Sequence, residues 1–369
     1  MNSKLRAALL MNAARASLET FTKLCKDYGP EALSDGGEKL WQELGLRSST
    51  QARLDELLRQ RDWPERELER AEKFGARFLS VDDAEYPQRL KDTAQPPIGL
   101  YVKGPADLSA PSVAVVGTRR CSPYGKSVAE GVGRALASAG FPLISGGARG
   151  IDAAGHRGCL SRGGVTVAIF GTGIDRTYPM EHRELFHQIA EQGALVSEYP
   201  IGVSGDPWHF PERNRLIVGI ASRTVVVESP DDGGAMITAR LALDIGREVW
   251  CVPGHITETV CCGTNHLIRD GAQPLVDIEE FIQCISGHYG QLMLDLSPQE
   301  ENSPKPAAPE LTTDEKLLLA LLQRQGSVTM DDLLAESGLS FPVLQTCLMT
   351  LSANGLAISS GPGRFSASA

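Results

Sequence analysis

Six short apolar runs recur through the middle of the chain, at 113–116, 142–144, 165–170, 194–196, 224–227 and 248–252. Between them lie segments long enough for crossover helices, such as 126–139 and 235–245. Runs apolar on both faces and joined by helices belong to a parallel sheet covered on both sides, because each parallel connection must carry the chain back over one face. The pattern predicts an α/β fold, a Rossmann-like doubly wound parallel sheet, with ligands bound beyond the carboxyl ends of its strands.

The flanks read differently. In residues 1 to about 75, Leu9, Leu10, Ala13, Leu18, Phe21, Leu24 and Leu33 recur at helical spacing, interrupted by Tyr28-Gly29-Pro30. A second helical stretch, 51–74, interleaves charges of both signs and reads as a solvated face. The segment 297–309 holds four prolines among polar residues and reads as a linker. Beyond it, helical patterns at 314–323, 330–337 and 341–353 precede Gly361-Pro362-Gly363-Arg364, the outline of a winged helix. The expected division is therefore a small helical domain at 1–75 (SAM/HhH-like), the Rossmann-like domain at 76–290, a linker at 291–311 and a winged-helix-like domain at 312–369. In the last of these, Lys316, Arg324 and Arg364 face Asp314, Glu315, Asp331, Asp332 and Glu336, and 341–353 carries no basic residue. A module so charged is expected to contact protein rather than to bind duplex DNA strongly.

A formal charge of -10 argues against a surface that coats nucleic acid, yet arginine gathers in the middle of the chain (Arg119, Arg120, Arg149, Arg157, Arg176, Arg183, Arg213, Arg215). A nucleic-acid site would be a pocket. Eight cysteines show no C-x-x-C spacing, which suits reduced thiols in a cytoplasmic protein. The apolar run 7–11 is too short for a signal peptide or a membrane span.

The chemistry concentrates in glycine turns. Val113-Ala114-Val115-Val116 breaks into Gly117-Thr118-Arg119-Arg120-Cys121-Ser122, and a second run breaks into Ser145-Gly146-Gly147-Ala148-Arg149-Gly150-Ile151-Asp152. Two such turns aim backbone N–H groups and helix N-termini at one place, with arginine and hydroxyl groups beside them, which is a phosphate site. A nicotinamide site would need G-x-G-x-x-G after the first strand; the first turn lacks the second glycine, and Gly171-Thr172-Gly173 lacks the third. Asp152 and Asp175 each follow a glycine turn and could pair for acid–base or metal chemistry, although a helix-capping role for Asp152 is the simpler expectation. The histidines are too scattered for a metal site. In Phe210-Pro211-Glu212-Arg213-Asn214-Arg215, two cations sit where a helix starts, against its dipole, and call for an anion or a carboxylate such as Glu198 or Glu228. Asp232-Gly233-Gly234-Ala235-Met236-Ile237-Thr238 repeats the turn, helix N-terminus and hydroxyl.

Taken in order, these motifs resemble the bacterial DNA-processing protein A (DprA/Smf) family. The shared run includes Asp82…Tyr86-Pro87, Val116-Gly117-Thr118-Arg119, Ser145-Gly146…Ala148-Arg149-Gly150-Ile151-Asp152…His156 and Tyr178-Pro179. It continues through Ser197-Glu198-Tyr199-Pro200, Phe210-Pro211…Arg213-Asn214-Arg215, Ile237-Thr238-Ala239, Val252-Pro253-Gly254 and Gly263-Thr264-Asn265. The likeness is tight over about 80–285 and loose in the flanks. It implies an extended Rossmann domain between a small helical domain and a winged helix. It also implies a cytoplasmic, non-enzymatic protein that binds single-stranded DNA during natural transformation, protects it and loads the RecA recombinase in place of single-strand-binding protein. Such proteins dimerise through the Rossmann domain and need no nucleotide or metal cofactor to bind DNA. By position, the arginine that grips the DNA backbone is Arg119. The expected phosphate-binding set is Gly117, Thr118, Arg119, Arg120, Ser122, Ser145, Gly146, Gly147, Arg149, Gly171, Thr172, Gly173, Arg183, Arg213, Asn214, Arg215 and Thr238, with no catalytic residue. The chain departs from the family at Met180, where relatives carry a lysine that His182 or Arg183 would have to replace, and at Gly233 and Cys262. Tyr124, Tyr178 and Phe186 are candidate platforms for base stacking. Two rivals remain: a nucleotide phosphoribohydrolase-like enzyme, for which the glutamate expected after the 232–238 run is missing, and a RecA-docking scaffold without a DNA site.

Overall fold

The computed structural model describes residues 1–296, 312–325, 328–353, 356–361 and 364–367. It divides into two compact units, Met1–Asp295 and Leu296–Ala369. The proline-rich stretch 297–309 lies outside the described residues.

The first unit opens with helices α1 (Ser3–Ala13), α2 (Leu18–Lys23), α3 (Ala32–Asp35), α4 (Glu38–Glu43), α5 (Ser48–Arg59) and α6 (Trp63–Phe74). Asn2 and Ser17 cap α1 and α2, accepting the Leu5 and Thr20 N–H groups. Leu10, Met11, Phe21, Leu24, Leu33, Trp41, Leu54 and Leu57 fill the bundle. The stretch 51–74, expected as one helix, is two. Pro64, in the first turn of α6, has no N–H to donate to a preceding turn and so suits the start of a new helix rather than the interior of one.

Next come β1 (Arg77–Ser80), α7 (Gln88–Lys91), β2 (Gly99–Lys103), β3 (Val113–Val116), α8 (Pro123–Ser138), β4 (Leu143–Ser145), α9 (Ile151–Leu160), β5 (Thr166–Phe170), α10 (Arg183–Gln192) and β6 (Ala194–Ser197). The unit closes with α11 (His209–Ile220), β7 (Arg223–Val226), α12 (Gly234–Asp244), β8 (Glu248–Cys251), α13 (Thr259–Arg269), β9 (Gln273–Pro274) and α14 (Ile278–Leu296), the last running past the boundary expected at 291. Nine of these strands form one sheet in the order β1-β2-β6-β5-β4-β3-β7-β8-β9. From β6 to β9 every pairing is parallel, with Val113 to Val116 of β3 registered against Arg223 to Val226 of β7. The doubly wound sheet expected from the apolar runs is thus present, but it is not wholly parallel. β1 and β2 extend one edge antiparallel, β2 pairing Tyr101 with Ser197 of β6.

Apolar cores cover both faces. Val115, Val132, Leu136, Leu143, Phe281 and Ile285 form one under α8, α9 and α14. Ala114, Val116, Ile144, Leu216, Val226 and Ala239 form another under α11 and α12, continuous with the helical bundle.

The second unit is a winged helix: α15 (Thr313–Gln325), β10 (Val328–Thr329), α16 (Met330–Ser337), α17 (Phe341–Ala353), β11 (Ala357–Gly361) and β12 (Arg364–Ala367). Its strands pair in the order β10-β12-β11 around a core of Leu318, Leu322, Leu333, Leu344, Leu348 and Leu351. Among the described residues no helix is long and apolar enough to cross a membrane. None of the eight cysteines is in a disulfide.

Candidate functional site

The chain leaves β3 in two directions. β4, β5 and β6 are laid down on one side of it and β7, β8 and β9 on the other, so a crevice opens between the carboxyl ends of β3 and β7. A cavity of about 440 Å³ lies there, between the turn after β3 (Gly117, Thr118, Arg119, Arg120), the first turns of α9 and α11, and the start of α12 (Gly233, Gly234, Thr238). Glycine makes the approach possible. A β-carbon on Gly117 would stand 2.5 Å from the Ile151 side chain and 2.9 Å from the Glu228 carbonyl oxygen. Gly150, at φ +76°, turns the chain into α9 against the Arg119 backbone. Neither α9 nor α12 has a side chain capping its N-terminus, so both present the positive end of the helix dipole to the cavity.

The arginines here are held in three different ways. Arg119 and Arg120 are exposed, and among the described residues their side chains meet no carboxylate or hydrogen-bond acceptor. The Arg119 guanidinium lies over the Phe210 ring, 5.7 Å from its centroid, and Phe210 packs at 5.1 Å against Tyr178, which is 51% exposed. Arg149 lies in an adjoining hollow with Arg119, Tyr178 and Phe210 and forks onto Glu181 at 2.5 and 2.6 Å. Its hydrogen bonds hold the Glu181 carboxyl below the usual range, but an exposed pair exchanges readily for a competing anion. Arg213 is buried. One nitrogen donates to the Gly146 carbonyl at 2.8 Å and to that of Ile169. Burial lowers its pKa to about 10 against the opposing pull of Asp152, whose own carboxyl burial raises against the pull of Arg213. Asp152 accepts the Gly146 and Ala148 N–H groups at 3.1 and 3.3 Å. This inner pair fixes the turn after β4, while the outer arginines face solvent.

The structure therefore brings together Gly117, Thr118, Arg119, Arg120, Gly146, Arg149, Arg213, Asn214 and Thr238 of the expected set. The remainder have other occupations. The Ser122 hydroxyl donates to buried Glu228 at 2.5 Å and caps α8, so Glu228 does not serve the arginines. Arg215 takes Glu198 at 2.5 Å and the Gln95 carbonyl. Ser145 is buried and donates to Val115 O, and Gly147 is buried against Phe186. Gly171, Thr172 and Gly173 are buried in the turn after β5, where the Thr172 hydroxyl bonds the turn's own carbonyls. Arg183 is exposed at the start of α10, outside the residues lining either hollow. His182 is buried with Nδ1 on the Gly147 carbonyl and cannot stand in for the lysine absent at Met180. Phe186 is core, 4.7 Å from Phe170, and is no stacking platform. Asp175 is not paired with Asp152: it accepts the Gly202 N–H elsewhere. Sequence reading missed Phe210 as a partner of Arg119 and Tyr178; its position directly before the arginine cluster was the available signal. Among the described residues no group of three or more His, Cys, Asp or Glu could hold a metal.

The chain is thus an α/β protein with helix N-termini and exposed arginines at the switch point of a doubly wound sheet, and with a winged helix in a separate unit. The chain belongs to the DNA recombination-mediator protein A family, whose profile matches residues 77–286, and residues 302–363 match the DprA winged helix domain. It is similar to a protein assigned as DNA processing protein DprA in Mycobacterium tuberculosis, 33% identical over 352 residues, covering 90% of this chain and 86% of that one. Of solved structures, DNA processing protein A from Streptococcus pneumoniae matches 77% of this chain and 98% of its own, at 30% identity and a TM-score of 0.66. DNA processing protein A from Helicobacter pylori, described in its single-stranded DNA binding mode, matches 57% of this chain and 96% of its own, at 28% identity and a TM-score of 0.53.

Proposed function

We propose that the protein binds single-stranded DNA at the switch-point cavity and acts as a recombination mediator. It would protect strands taken up in natural transformation and load RecA onto them in the cytoplasm. The observation that carries this reading is the pair of exposed, unpaired arginines, Arg119 and Arg120, at a cavity that two helix N-termini face. Unneutralised charge in the free protein is what a polyanion can exchange for its counterions. The stacked Phe210 and half-exposed Tyr178 beside Arg119 supply a face for a base, and a single strand offers bases that a duplex hides. The name of the family and the binding mode described for the Helicobacter pylori relative support the same assignment. RecA, single-strand-binding protein and a second copy of the chain, docked through the Rossmann domain, are the proposed partners. The binding work is assigned to 76–290, with the helical segment 1–75 as its support and 312–369 as a protein-contacting module.

A phosphoribohydrolase would need a free carboxylate over a sugar. The start of α12 carries none, and Asp152, which lines the cavity, is engaged by two backbone N–H groups and faced by Arg213. This favours a non-enzymatic role that needs neither cofactor nor metal. The test is fluorescence anisotropy of a labelled dT oligonucleotide at two salt concentrations. Affinity should fall with salt at a log–log slope of about -0.7 per phosphate neutralised. Arg119→Ala should weaken binding about tenfold or more and flatten that slope, while a duplex competitor should have little effect. Absence of binding at low salt would overturn the proposal, and release of free base from a nucleoside monophosphate would favour the enzyme instead.

A further inference from the structure

A second hollow of about 300 Å³ lies away from the switch point, where α5 and α6 meet the chain between β6 and α11. Trp63, Arg53, Arg70 and Arg176 line it, with buried Glu67 at its base. Two carboxylates stand near these arginines, Glu67 in the lining and Asp175 outside it, and each accepts a backbone N–H. Glu67 accepts the Ile201 N–H at 2.6 Å and Asp175 the Gly202 N–H at 2.7 Å. They reach the arginines only at 3.5 Å (Glu67 to Arg70) and 3.8 Å (Asp175 to Arg176). Charge-assisted bonds of full strength are nearer 2.8 Å, so both guanidinium groups keep most of their bonding capacity. Both also converge on Gly202. A β-carbon there would stand 2.8 Å from a nitrogen of Arg70 and 4.0 Å from one of Arg176, a spacing that one phosphate can bridge. Arg70 and Arg176 remain half exposed, at 50% and 59%.

We infer that this hollow is a second nucleotide site, with a phosphate between Arg70 and Arg176 and a base against the Trp63 indole. Arginines that converge on one point beside a partly exposed indole match the two halves of a nucleoside phosphate. Continuity supports the assignment. Arg176 stands two residues before Tyr178, so their Cα atoms are within about 7 Å, and Tyr178 lines the hollow that holds Arg119. A strand leaving Arg119 past Tyr178 would arrive at Arg176. The inference rests on the single-strand reading above and adds to it where the strand goes.

The experiment compares dT oligonucleotides of about 5 and about 20 residues, short enough for one hollow and long enough for both. Each would be titrated into wild type, Arg119→Ala and the Arg70→Ala/Arg176→Ala double variant, with folding of the variants checked by circular dichroism. The double variant should bind the long strand about tenfold more weakly, with its salt slope reduced by about 0.7, and bind the short one unchanged. A long oligonucleotide carrying iododeoxyuridine should photo-crosslink to the peptide containing Trp63. Thymidine diphosphate as competitor distinguishes the two sources of the ligand: if it blocks that crosslink the hollow also takes free nucleotides, and if it does not the hollow requires a strand. Wild-type behaviour of the double variant on the long strand, with no crosslink at Trp63, would overturn this site and leave the Arg119 site standing. Failure of wild type to bind either strand would overturn both.

Discussion

Two arginines line the same cavity in opposite states, Arg119 exposed and unpaired, Arg213 buried against backbone carbonyls beside Asp152. Replacing Arg213 by methionine keeps much of its volume but leaves the Asp152 carboxylate buried without its cation, a change that costs about 3–5 kcal/mol. Arg119→Met removes no buried partner and should stay within about 0.5 kcal/mol of wild type. Urea denaturation of the two variants would read the difference, and equal midpoints would contradict the division into inner and outer arginines. His156 makes a pH prediction. Burial, with the positive charges of His182, Arg157 and Arg213, lowers its pKa from 6.5 to about 3. Its Nδ1 meets the Thr166 hydroxyl, and Nε2 has no partner. Above pH 6.5 the ring is neutral in both states and costs nothing. Between 6.5 and about 3 the unfolded chain takes up a proton that the fold excludes, so stability falls as pH drops, by up to about 1.4 kcal/mol per unit. Denaturation at pH 7 and pH 5 should show a loss of about 2 kcal/mol from this group that His156→Gln lacks.

At the scale of elements, the strands legible in the sequence were those whose apolar runs alternate with helices. Of the three it hid, β9 is only two residues long, and β1 and β2 are short and carry charge at Arg77 and Lys103. Without the periodic context of their neighbours, Arg77-Phe78-Leu79-Ser80 reads as loop. The break between α5 and α6 was hidden in another way, since continuous charge masked a proline that was in plain view. Of the site, the turn after β3 was legible because glycine, arginine and strand end coincide. The occupation of Ser122 was not: its partner Glu228 lies 106 residues away, at the end of β7, and only strand pairing brings the two together. Arg215 and Glu198 meet for a similar reason, across α11 and the loop after β6. Sequence reading located the switch point but could not tell which arginines the fold would use up in holding it together.

For the whole molecule, everything assigned to the strand lies in the unit that ends at Asp295, including Arg119, Arg70 and Arg176. A chain stopped after Asp295 should therefore bind long dT within about threefold of the full chain, a difference under about 0.7 kcal/mol. A larger loss would bring the winged helix, whose α17 has no basic residue, into the DNA contact. The first unit is also cross-tied. Arg15, at φ 60° in the turn after α1, lies over the rings of Tyr199 and Trp208 and pairs with Glu212 in the first turn of α11. That same turn of α11 carries Phe210 and Arg213 into the cavity. In mechanical terms Arg15 is a stop: α11 cannot slide along its axis without drawing the guanidinium out from its rings. The width of the opening over Arg119 is thereby set in part from α1, a helix that lies outside the sheet.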